Sequence, residues 1–217
     1  MSPSAIYLTY FVPAVILAPI TTGLIFYKGL NKPLRTILIY LVASLIFNII
    51  GSLLAAYSIN NLPGLHIYTM VETVTVMLYY LYAFERGPIS KWIIATMWIF
   101  PLICIINLSF FQSIYEFNTN ARPLGAIIII IFTAAYLSMQ SNFKTPELVS
   151  RSGRLVAAGF MIYFCSSLFQ FIFSNIVSKN VSKNIKLLIW DLHGTFVIIM
   201  YLLFLWAIVY ERRKRQY

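Results

Sequence analysis

A chain of 217 residues that is 60% hydrophobic and only 10% charged lies far from the composition of soluble domains, in which about a quarter of residues are charged. Its formal charge of +10 does not point to nucleic acid, because the Lys and Arg residues cluster between apolar runs rather than along one readable face. The length suits a single domain, and the two cysteines, Cys104 and Cys165, lie inside apolar runs and read as buried free thiols rather than a disulfide framework.

The apolar runs, taken in order, are each near the roughly 20 residues that a hydrocarbon core requires. The first covers about residues 5–27 and carries Pro13 and Pro19. It has neither the basic start nor the small-residue cleavage site of a secretory signal, so a span is expected. The second covers about 35–57 and ends at the turn Asn60-Asn61-Leu62-Pro63-Gly64. The third, about 65–84, stops at Glu85-Arg86-Gly87-Pro88, and the fourth, about 91–110, contains Pro101. A polar loop from Gln112 to Asn120 leads to the fifth, about 122–140. The sixth covers about 154–175, and a short polar connection from Ser178 to Asn184 leads to the seventh, about 185–210. The expectation is an all-α, polytopic membrane protein, one seven-transmembrane-helix bundle over residues 1–217.

Orientation follows from Lys and Arg on alternate sides. One side holds Lys28, Lys32, Arg35, Arg86, Lys91, Lys144, Arg151, Arg154, Arg212, Arg213, Lys214 and Arg215; the other holds Arg122, Lys179, Lys183 and Lys186. Twelve against four is a positive-inside bias that places the N-terminus outside and the C-terminus in the cytoplasm.

With that orientation, depth follows from a rise of about 1.5 Å per residue. His66 lies near the outer interface and Glu72 roughly 9 Å deeper. Asp191 and His193, in the stretch Trp190-Asp191-Leu192-His193-Gly194, reach a comparable depth, as do Asn48 on the second span and Gln170 on the sixth. Helical phase adds polar stripes: Tyr68, Glu72, Thr75 and Tyr79 on the third span, and Tyr163, Ser167, Gln170 and Ser174 on the sixth. Ionisable groups inside a membrane are costly and mark function by default. Glu72, Asp191, His193, Asn48, Gln170 and Tyr68 are therefore the candidate ligand-binding residues of an outer-half pocket. The same stripes also serve as interhelical glue. On an ideal helix Asp191 and His193 point about 160–200° apart, so both reach one pocket only if the helix distorts near Gly194.

Several chemistries can be tested against these residues. Thr195 stands four residues after Asp191, where a microbial rhodopsin places its Schiff-base Lys, and the nearest alternative, Lys186, lies at the outer end of the span. Retinal is thereby excluded. A catalytic zinc site wants three protein ligands, and the seven-span hydrolases related to ceramidases use three His, whereas this chain has two. Bis-histidine haem through His66 and His193 meets unequal depths. No cofactor is predicted. There is no Gly-x-Ser-x-Gly elbow, no glycine-rich phosphate loop, and no internal repeat of the kind that builds transporters from two halves.

The pairing of Tyr68-Thr69-Met70-Val71-Glu72 with Trp190-Asp191-Leu192-His193 resembles uncharacterised short seven-helix bacterial membrane proteins. That resemblance implies a bacterial cytoplasmic (inner) membrane and no particular activity. The leading expectation is a receptor-like or sensory module that binds a small or lipidic ligand and signals through a cytoplasmic or membrane partner, since its loops are too short for an output domain. The alternative is a membrane-embedded, lipid-acting hydrolase using Glu72, Asp191 and His193, metal-dependent or not; a small transporter is the third reading.

Overall fold

The computed structural model describes residues 3–85, 87–142 and 150–214, and all regular structure among them is helical. In chain order the helices are α1 (Pro3–Ile6), a π-helical stretch (Tyr7–Phe11), α2 (Val12–Val15), α3 (Leu17–Ile25), α4 (Lys32–Ala56), α5 (Leu62–Ala83), α6 (Ser90–Phe110), α7 (Ala121–Ser141), α8 (Arg151–Asn180) and α9 (Lys183–Lys214). Six helical stretches among these residues, namely Tyr7–Ile25 and helices α4, α6, α7, α8 and α9, are long and apolar enough to cross a membrane. That is the signature of an integral membrane protein. The exception is α5. Its 22 residues suffice in length, but His66, Glu72, three threonines and four tyrosines dilute its apolar character. It packs against α4, α6 and α7, so protein rather than lipid receives its polar face.

Prolines explain the broken first helix. Pro13 offers no N–H to the carbonyl four residues back, and just before it the chain widens into the π-helical stretch, where the Val12 N–H bonds the Tyr7 carbonyl. The helix yields again at Ile16, three residues before Pro19. Polar side chains start α4 and α8: Asn31 Oδ1 accepts from Leu34 N at 3.0 Å, and Ser150 Oγ from Gly153 N at 3.0 Å.

Neighbour packs on neighbour around a ring of α3, α4, α5, α7, α8 and α9, which closes where α9 meets α3; α6 stands outside it against α5 and α7. One half of the ring is filled by aromatic side chains. Phe160 sits among Tyr40, Tyr79, Tyr80, Phe164 and Phe204, with ring centroids 5.0–6.3 Å away. A Cβ on Gly159 would stand 2.9 Å from Phe204, so only glycine lets α8 and α9 close this tightly.

Two boundaries move. α8 and α9, at 30 and 32 residues, each extend beyond the expected spans, and the connection expected over Ser178–Asn184 narrows to Val181 and Ser182. Cys104 is buried as expected, whereas Cys165 is exposed; both are free. Arg86, Lys144 and Arg215, which contribute to the charge asymmetry, lie outside the described residues.

Candidate functional site

The site is built from the start of α7. Asn118 Oδ1 accepts from the N–H groups of Ala121 and Arg122 at 3.0 and 3.2 Å, and Asn118 Nδ2 donates to Thr69 Oγ1 of α5. This cap draws the first turn of α7 into the bundle and carries the Arg122 side chain inward, leaving the residue 8% exposed. Its Nη2 lies 3.7 Å from Glu72 Oε2 and donates to the Tyr163 hydroxyl at 3.3 Å. The guanidinium also lies over the rings of Phe171 (4.4 Å) and Tyr68 (5.7 Å).

Glu72, 2% exposed, accepts from the Tyr40 hydroxyl at 3.4 Å, and Tyr68 stands one turn before it on α5. Tyr68 is steadied in turn by Ser44 Oγ at 2.9 Å. Acid and base thus neutralise each other inside a cage of tyrosines. Such a pair is no stability device, because desolvating two ions costs several kcal/mol each (on the order of what their attraction returns). Nor is it saturated. A guanidinium carries five N–H donors, yet here it makes a single hydrogen bond to a side chain, and Nη1 is buried without a partner.

Tyr163 and Phe171 form the wall between Arg122 and His193, whose ring lies 5.5 and 5.8 Å from theirs and 6.2 Å from Trp190. His193 Nδ1 is 2.8 Å from Ser167 Oγ. A contiguous cluster therefore runs from Glu72 on α5 through Arg122 on α7 and Tyr163 and Ser167 on α8 to His193 on α9. Gln170 is buried on the same face of α8. All four residues of the expected α8 stripe, Tyr163, Ser167, Gln170 and Ser174, are buried.

The loop between α6 and α7 roofs this cluster. His66, 1% exposed, donates from Nε2 to the Glu116 carbonyl at 2.9 Å, which leaves Nδ1 as an acceptor that is buried and unpartnered. Asn175 of α8 bonds both the N–H and the carbonyl of Phe117. Phe117 lies 6.0 Å from Trp190, and Lys179 pairs with Glu116 at 3.0 Å.

Two expected site residues lie elsewhere. Asp191 faces the N-terminal segment: Ser4 Oγ donates to its Oδ2 at 2.6 Å, while Oδ1 is buried without a partner. One turn on, Thr195 Oγ1 meets the Tyr7 hydroxyl at 2.9 Å. α9 runs unbroken through Gly194, so the helical phase that separates Asp191 from His193 holds. Gly194 has a different task. A Cβ there would come within 3.0 Å of Leu8 and Val12, so the glycine admits the N-terminal segment. Asn48 is exposed and donates to the Ser44 carbonyl of its own helix at 2.9 Å.

Arg122 is the member of this cluster that sequence reasoning missed, by taking it for a surface charge at the start of a span. A usable signal existed: a carboxylate expected at membrane depth needs a cation, and Arg122 alone among the four cations on the sparsely charged side directly precedes an apolar run without a neighbouring Lys. Among the described residues no three His, Cys, Asp or Glu side chains gather as a metal site. No protein-family model, no curated protein and no solved structure matches the chain.

Proposed function

We propose that the chain is a receptor-like, sensory membrane protein of seven spans, with α5 as the span sheltered by its neighbours. Its N-terminus is outside and its C-terminus in the cytoplasm of a bacterial inner membrane, the orientation favoured by the twelve-to-four distribution of Lys and Arg. The ligand is a small or lipidic acid whose carboxylate or phosphate oxygens take up the donors of Arg122, with Glu72 released to the surrounding tyrosine hydroxyls. One observation carries this reading: a deeply buried guanidinium holds one hydrogen bond and an unpartnered Nη1, and planar bidentate capture of an oxyanion is what that fork is shaped for. His193 and Gln170 line the same cluster. Helices α8 and α9 reach from the site to the basic end of the bundle, where a signalling partner reads their shift. The test is extraction of the gently solubilised protein and mass spectrometry of what it releases. An acid recovered in about equal amount to the wild-type chain, and lost in Arg122→Gln, is the expected result; the same acid bound to both proteins, or no bound acid at any ligand supply, refutes the reading.

A second reading has its own observation. Ser167 Oγ within 2.8 Å of His193 Nδ1 is the separation of a nucleophile from its general base, which supports a membrane-embedded hydrolase. Fluorophosphonate labelling that disappears in Ser167→Ala favours this alternative; a chain that resists the reagent disfavours it.

A further inference from the structure

Away from the roofed cluster, the α3–α4 flank carries an open groove of about 380 Å³. Leu24 and Tyr27 form one bank, and Arg35, Ile39, Val42 and Ile46 of α4 form the other. The α4 residues are spaced 4, 3 and 4, one face of the helix, and span about 16 Å at 1.5 Å per residue. Leu24, Tyr27, Ile39, Val42 and Ile46 are all exposed large hydrophobic residues. Nothing polar interrupts the slot until its foot, where Arg35 is fixed rather than free. Its Nε donates to the Leu30 carbonyl at 3.0 Å, its Nη2 to the Lys28 carbonyl at 3.4 Å, and its guanidinium lies 4.9 Å from the Tyr27 ring centroid. Exposed Lys28 and Lys32 flank it, and Arg212 lies over Phe26 at 3.9 Å. The nearby acid, Glu211, is engaged by Asn31 and Ser152.

We propose that this groove is a site for one anionic phospholipid. Its phosphate sits on the outward edge of the Arg35 guanidinium between Lys28 and Lys32, and one acyl chain lies along Leu24, Ile39, Val42 and Ile46. Charge placement favours this occupant over the others. A zwitterionic lipid brings its own cation to a basic cluster. A second copy related by a two-fold axis along the membrane normal sets the same four cations face to face. An anionic headgroup at the end of an apolar slot instead neutralises the cluster while the slot takes the chain.

The test is native mass spectrometry of the full chain in a mild detergent, titrated with dioleoylphosphatidylglycerol or with dioleoylphosphatidylcholine. The wild type is expected to retain one phosphatidylglycerol at concentrations where phosphatidylcholine is not retained. Arg35→Gln and Val42→Trp should each weaken that first association at least about fivefold, roughly 1 kcal/mol on a scale where tenfold is about 1.4. Arg35→Gln also removes bonds that hold the 27–31 turn, so Val42→Trp, which fills the slot and leaves Arg35 in place, tests the site independently of the turn. Equal retention of the two lipids by the wild type overturns the proposal, as does wild-type affinity for phosphatidylglycerol in Val42→Trp. A dimer that Val42→Trp converts to monomer overturns it too, by giving the groove to a second copy.

Discussion

The two halves of the bundle each bury side chains and are differently finished. Around Phe160, buried hydroxyls find partners: the Tyr80 hydroxyl meets Thr133 Oγ1 at 2.6 Å, and Tyr79 donates to the Gly153 carbonyl at 3.3 Å. Under the 111–120 roof and beside the N-terminal segment, satisfaction fails. Of the four buried side-chain atoms without a partner among the described residues, three, namely His66 Nδ1, Arg122 Nη1 and Asp191 Oδ1, lie in this half. Native interiors rarely tolerate such atoms without a reason. The aromatic half reads as scaffold, and the half with spare donors and acceptors reads as the place where something binds.

That contrast can be broken from either side. The largest expected effect is Glu72→Gln, which leaves the Arg122 charge buried and uncompensated. It should cost about 3–5 kcal/mol of stability, measured by denaturant unfolding in micelles, and should disturb ligand retention as well. Phe160→Ala is expected to cost a similar or slightly smaller amount, about 3–5 kcal/mol at the upper limit of full cavity retention, yet to leave retention of any bound acid unchanged. Separation of the two readouts is what distinguishes scaffold from site. Gly194→Ala puts a methyl group against Leu8 and Val12 and should cost roughly 1–3 kcal/mol through overpacking; limited proteolysis of the N-terminal segment should report it first. Smallest is Asn48→Ala. Its side chain is exposed and bonds only its own helix, so a change within about 0.5 kcal/mol is expected.

The helices themselves were legible because apolar runs of bilayer length admit few alternatives, and the stripe on α8 was legible because period 3.6 dictates which residues share a face. Phase likewise set Asp191 and His193 apart correctly. Three things were not legible. The inward turn of Arg122 depends on Asn118, four residues earlier in an irregular loop, bonding to Thr69 on another helix; no local periodicity carries that. The partner of Asp191 is Ser4, 187 residues away. Asn48 shares a nominal face with buried Ser44, but Ile49, Ile50 and Leu53 around it are all exposed, because the last turns of α4 run clear of the bundle. Depth placed Asn48 in the polar layer, and depth alone does not say whether a side chain points in or out.

The central claim is that Glu72 and Arg122 form one coupled buried unit, and a double-mutant cycle tests it most directly. Unfolding free energies of the wild type, Glu72→Gln, Arg122→Gln and the double variant, measured in the same micelles, give the interaction term. The account predicts that the double variant loses less than the sum of the singles, with a coupling of about 2 kcal/mol or more, because removing both charges leaves none stranded. Additive losses, within about 0.5 kcal/mol, would mean that the two groups act independently, and the reading of the half under the 111–120 roof as a poised site would fall with them.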